Sequence, residues 1–196
     1  KVHTVIHANE GIPSDIKFTS AATNDSFMLR PGRLSKGDIV AMDRAYINYE
    51  KFEELTQRGV IYVTKMKKSL RYEVLEDVMY QTPEGYMEVR IQYVEFTKLL
   101  KDGQSITHKA RLITYADVQK RRLITLLTND MEFDPTEIIA IYRQRWEIEL
   151  LFKQLKQNFP LKYFYGESAN AIKIQIWVTL IANLLLMVMK SGLTRS

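Results

Sequence analysis

The 196-residue chain contains no cysteine. That excludes a disulfide framework and any thiolate-held metal site, and it fits a reducing compartment. Glycine and proline are sparse, with 8 and 5 residues, and no low-complexity tract or internal repeat divides the chain. Charge of neither sign dominates: 28 Lys+Arg stand against 23 Asp+Glu, a net +5. Such mild basicity suits a nucleic-acid partner without requiring one. No uninterrupted apolar run approaches the ~20 residues of a membrane span. The nearest, IKIQIWVTLIANLLLMVMK at 172–190, is broken by Lys173, Gln175 and Asn183. It reads as a buried helix of an α/β core. The opening residues Lys1-Val-His3 read as neither an initiator Met nor a signal peptide. The chain starts inside an alternating apolar run, so residue 1 reads as the boundary of a longer polypeptide, and residues 190–196 as a second boundary.

What is present is 46% hydrophobic, enough to bury the core of one domain with room for an insertion. Residues 1–8 and 16–22, with Gly11-Ile-Pro-Ser14 between them, suggest a hairpin. Thr23-Asn24-Asp25-Ser26 looks like a helix start. Residues 39–42 (IVAM) are an unalternating apolar run, as expected of a central strand covered on both faces, and they end at Asp43. Residues 48–58 have helical spacing, with Asn48 as cap and Gly59 as stop. Residues 60–66 read as a strand. From about 68 to 130 the chain is a series of β-rich runs separated by turn signals, and reads as an inserted β subdomain. The core would then be split, 1–67 with 131–196. Asp134, Pro135 and Glu137 open a helix expected to run from 134 to 158.

The face of that helix carries the chemistry. At about 100° per residue, Tyr142, Arg145, Glu149 and Lys156 fall within an arc of ~60°, beside an apolar stripe of Ile141, Ile148, Leu151, Phe152 and Leu155. An Arg and a Glu four apart are commonplace on solvated helices. A second carboxylate shifts the balance. Asp43 stands at the carboxyl end of a strand, where α/β sheets place ligand chemistry, although it could simply turn the chain. Asp43 and Glu149 together form the kind of oxygen-ligand pair that holds a divalent metal. His3 and His7 share a strand face without an evident third ligand. Lys65, Lys67, Lys68 and Arg71 could line a DNA groove or protect an edge strand.

The run Tyr142-Arg-Gln-Arg145-Trp-Glu-Ile-Glu149-Leu-Leu-Phe-Lys-Gln-Leu-Lys156 resembles the Y-x-x-R-x-x-x-E-x6-K signature of a group of insertion-sequence transposases. These are DDE transposases with an RNase H-like fold. Asp38–Tyr46 resembles the group's second-aspartate segment, with Ala45 where Gly is usual, and residues 1–6 and 21–25 look like further family segments. The resemblance implies an α/β, RNase H-like mixed sheet with a β-rich insertion between the second Asp and the Glu. It implies that Asp43 and Glu149 are the second and third acidic residues, holding two Mg²⁺, or Mn²⁺ in their place. Arg145 and Lys156 would hold DNA phosphates, with Tyr142 hydrogen-bonded to one. The first aspartate would lie in a core strand before Lys1, so this stretch alone would not cleave DNA. The implied partners are double-stranded DNA, as transposon ends and target, and a second copy of the protein, in the bacterial cytoplasm at the nucleoid and away from membranes. Some relatives stack a flipped base on an insertion-domain Trp. Here both tryptophans, Trp146 and Trp177, lie outside the insertion, leaving Tyr62, Tyr72, Tyr80, Tyr86, Tyr93 and Tyr115 as substitutes. Other readings stay open: another RNase H-like nuclease or resolvase, a non-catalytic DNA-binding protein, or a glycosidase built on Asp43 and Glu149. The last fits poorly, because Arg145 and Lys156 suit phosphate better than sugar.

Overall fold

A computed structural model describes residues 1–8, 12–20, 22–23, 25–82, 87–100, 103–119, 121–159 and 163–193, with side chains through 190. In chain order the elements are β1 Val2–His7, β2 Ile12–Phe18, β3 Ile39–Met42, α1 Tyr49–Gln57, β4 Ile61–Lys65, β5 Glu73–Gln81, β6 Glu88–Leu99, β7 Ser105–Asp117, β8 Arg122–Thr128, α2 Pro135–Gln144, α3 Trp146–Asn158 and α4 Ala169–Leu193. The contacts divide them into two compact units: Asn24–Arg145, and Lys1–Thr23 with Trp146–Ser196.

The unit 24–145 is a six-stranded mixed sheet in the order β3-β4-β8-β7-β6-β5. β3 and β4 run parallel and every other pair is antiparallel. The strands of residues 68–130 therefore continue the sheet that β3 and β4 begin. Alternation along the strands builds two cores. Tyr62, Leu112 and Leu127 pack on one face with Phe52 and Leu55 of α1. Their sequence neighbours Val63, Ile113 and Leu126 pack on the other with Ile138 and Ile139 of α2. β4 is thus the strand covered on both faces. Among the described residues β3 is not: there it lies at the sheet edge, paired to β4 alone, and Ile39 is exposed. With one described neighbour, this apolar run of four residues keeps a solvent-facing side.

Local chemistry sets the helix ends. The Asn48 side chain accepts from the Lys51 N–H at 3.1 Å and starts α1. Gly59 ends it at φ 68°, a left-handed conformation where any side chain is strained. Asp134 and Glu137 form a complete capping box at α2, with Pro135 in the first turn. The Tyr80 hydroxyl also donates to Asp134, by a short hydrogen bond. Arg111, buried on β7, donates to the Phe133 carbonyl at 2.8 Å and to Asp130 at 3.3 Å, and so fixes the entry to this helix.

The helix expected over 134–158 is interrupted. α2 stops at Gln144, and the Arg145 N–H bonds the Tyr142 carbonyl three residues back, at 3.2 Å. The ladder tightens by one residue there, and α3 begins at Trp146. Angular bookkeeping across the whole stretch therefore does not hold. It holds within each helix.

In the other unit, β1 and β2 form an antiparallel hairpin with an irregularity at Val5/Ile6, opposite Pro13. Proline lacks the N–H a regular ladder needs, so it sits at the irregularity. β2 starts at Ile12, so Ile12, Pro13 and Ser14 belong to the strand instead of the expected turn. His3 is buried against the Thr19 hydroxyl at 2.7 Å, a packed core position. Leu151, Leu155 and Leu180 form this unit's small core, with Ile6, Ile16, Phe152, Phe159 and Ile176 around them. α4 overturns its expected burial. Thr179, Leu180 and Asn183 are buried, whereas Ile174, Val178, Ile181, Leu185 and Val188 are exposed. The helix is long and apolar enough to cross a membrane, yet only 17% of that stretch is buried. Its apolar residues outnumber those the unit's small core can cover.

Candidate active site

Two groups of residues emerge, one in each unit. The first gathers where β3 ends. Asp43 leaves the strand exposed to solvent, and its Oδ1 accepts from the Ala45 N–H at 2.9 Å, starting the turn Arg44–Tyr46. Among the described residues Oδ2 accepts no hydrogen bond, so one carboxylate oxygen remains for a ligand while the other orients the group. Tyr142, on the last turn of α2, is half-buried beside this corner. Burial raises its pKa most, Arg145 lowers it, Asp43 raises it and Arg44 lowers it. The Arg145 guanidinium lies 5.6 Å from the centre of the Tyr142 ring. Tyr142 thus lies near both the Asp43 carboxylate and the Arg145 guanidinium.

Sequence reasoning reads Asp25 only as part of a helix start, and Arg44 and Tyr46 only as part of the segment Asp38–Tyr46. Tyr46 is raised in pKa by burial, then by Asp25, then by Asp43. That places Asp25, at the start of a short 3-10 helix, and Tyr46 in the same corner as Asp43. Arg44 completes it. The signal was available: a residue three beyond Asp43 returns to it across a single turn.

The second group is on α3. Glu149 and Lys156 are seven residues apart and so share a face at two turns' spacing. With Phe152, Lys153 and Gln157 they line one open hollow of 630 Å³. Leu151 and Leu155 turn the other way and anchor the helix in its core. A carboxylate flanked by two ammonium groups at a solvent-open surface can bind a metal and a phosphate side by side.

Oxygen donors of this kind suit Mg²⁺ or Mn²⁺ and not a thiophilic metal. No three His, Asp or Glu side chains gather into one ligand set among the described residues. The tyrosines considered for base stacking divide. Tyr62 and Tyr115 are core residues, and Tyr62 is fully buried on His108, so neither can receive a base. Tyr80 and Tyr93 are half-buried, Tyr72 is exposed, and Tyr86 lies outside the described residues.

The family model for the transposase DDE domain matches residues 1–185. A Sinorhizobium fredii protein named as a transposase is 27% identical over 186 residues, covering 95% of this chain and 52% of its own length. A Synechocystis protein named as a transposase for insertion sequence element IS4SA is 26% identical over 189 residues, with coverage of 95% and 52%. A Bacillus thuringiensis transposase for insertion sequence element IS231C is 24% identical, over 76% of this chain and 41% of its own length. The chain spans about half the length of the curated relatives it matches.

Proposed function

Because the chain belongs to the transposase DDE domain family, we propose that it forms part of the catalytic domain of an insertion-sequence transposase. That enzyme cuts DNA strands at the element's ends and joins them to target DNA by metal-dependent phosphoryl transfer. The family match along 1–185 carries this reading, and the open carboxylate at the end of β3 supports it. Asp43 and Glu149 are assigned as metal ligands, and Arg145, Lys156 and Tyr142 as phosphate contacts of the Y-R-E-K pattern. Bound Mg²⁺, or Mn²⁺ in its place, would activate a water or a 3′-hydroxyl and stabilise the leaving oxygen. The protein's own part is positional. The Ala45 N–H holds the Asp43 carboxylate in one orientation. Lys153 and Lys156 offer cations beside Glu149, and Arg145 presents a planar fork to a phosphate.

In this reading residues 68–130 are the family's insertion and 1–67 with 131–196 its core. The first acidic residue comes from a strand before Lys1, and two copies meet on paired DNA ends in the cytoplasm. DNA binding by this chain tests the roles. Arg145→Ala and Lys156→Ala should each weaken duplex binding and flatten its salt dependence by roughly one unit of slope. Glu149→Gln should leave binding intact, because it removes a metal ligand and not a phosphate contact. Equal loss in all three variants would show that the helix face serves structure alone.

A further inference from the structure

α1 carries a cation at the end where a helix disfavours one. Lys51 is the third residue of α1, in the first turn, where the helix dipole favours a carboxylate over an ammonium. The side chain is partly buried. Burial lowers its pKa, Glu54 opposes this and Arg30 adds to it. Two hydrogen bonds offset these costs. Nζ donates to the Ser26 carbonyl at 2.5 Å and to the Leu29 carbonyl at 2.6 Å. Those carbonyls belong to the 3-10 turn Asp25–Met28 and to the residue that follows it.

The two bonds close a ring of local structure around Asp43. Met28 and Leu29 are buried, and Leu29 packs in one core with Met42 and with Phe52 of α1. The turn Asp25–Met28 lies against the turn Arg44–Tyr46. Asp43 starts that second turn, its Oδ1 accepting from the Ala45 N–H and its carbonyl from the Tyr46 N–H at 3.0 Å. The chain then passes through Ile47 to Asn48, whose side chain accepts from the Lys51 N–H. Lys51 is thus held at both ends. Its backbone is tied to the cap that follows the Asp43 turn, and its side chain to the turn that carries Asp25. Every member of the ring belongs to the compact unit 24–145.

We propose that Lys51 is a positioning residue for Asp43. By clasping the turn Asp25–Met28 to α1, it holds the corner in which the Asp43 carboxylate presents its open oxygen to a metal ion. Its action runs through the two turns and not through contact with the ion. A cation kept at the unfavourable end of a helix fits a functional corner, where local rules are broken for geometry. The inference rests on the assignment of Asp43 as a metal ligand.

Mn²⁺ affinity of the chain, read by electron paramagnetic resonance titration, should be compared across variants that circular dichroism shows to be folded. Lys51→Met should weaken binding roughly three- to tenfold, below the ~10–100-fold typical of a group bonded directly to a metal ligand. Lys51→Arg, which can still donate to both carbonyls, should restore most of the affinity. His108→Gln frees Glu53 of the same helix at its contact with the sheet, and should leave the affinity unchanged. In an Asp43→Asn background, Lys51→Met should cause no further loss. Should Lys51→Met not fold, Lys51→Gln, one atom shorter and uncharged, carries the same comparison. Wild-type affinity in the Met or Gln variant overturns the inference. So does a loss as large in the Asp43→Asn background as in the wild type, or an equal loss in His108→Gln. An Asp43→Asn chain that binds Mn²⁺ like the wild type removes the metal assignment itself, and this inference with it.

Discussion

His108 shows how one side chain ties a helix to the sheet. Its Nδ1 lies 2.9 Å from Glu53 of α1 and its Nε2 2.7 Å from the Tyr62 hydroxyl of β4. A carboxylate can only accept, so Nδ1 carries the proton and Tyr62 donates to Nε2. Burial lowers the His108 pKa, and the Glu53 hydrogen bond opposes this only in part. A ring whose folded pKa lies below its unfolded value binds protons better when unfolded. Its contribution is therefore intact above the unfolded value of about 6.5 and is lost as pH falls through that value toward the folded one. The unfolding midpoint should drop between pH 7.5 and about 5.5, above the range where the depressed carboxylates Asp77 and Asp134 titrate. His108→Gln should flatten that drop. An equal drop in the variant would remove His108 from the account.

At the scale of elements, the helix boundaries were largely legible, because caps are local chemistry. Asn48, Gly59, Asp134, Pro135 and Glu137 each do in the structure what their residue types and spacing imply. Asp134→Ala should accordingly cost about 1 kcal/mol or more in urea unfolding, and Asp134→Asn much less, since both Asp and Asn cap well. Equal losses would mean that the Tyr80 contact, and not the cap, sets the helix start. What failed to show in sequence was non-local. An apolar run does not reveal how many strands flank it, so it does not show that β3 is an edge among the described residues. Periodicity does not reveal a single tightened turn, so the break at Arg145 was missed. Apolar content predicts that α4 is covered, but not by what. The same limit applied to the site. Glu149 and Lys156 could be placed on one face from seven-residue spacing, whereas Asp25 and Tyr46 reach Asp43 only through the packing of two short 3-10 turns.

For the whole molecule, each compact unit carries half of the proposed machinery. Asp43, Tyr142 and Arg145 belong to 24–145, and Glu149 and Lys156 to the unit of Lys1–Thr23 with Trp146–Ser196. The functional reading requires both carboxylates to act on the same metal cluster. A double-mutant cycle on Mn²⁺ affinity, measured by electron paramagnetic resonance titration of the chain, tests that requirement most directly. Asp43→Asn and Glu149→Gln should each weaken binding by at least about tenfold, or 1.4 kcal/mol. The double variant should be little worse than either single one, because ligands of a shared ion are strongly coupled. Losses that simply multiply, or a variant that binds Mn²⁺ as tightly as the wild type, would contradict the account.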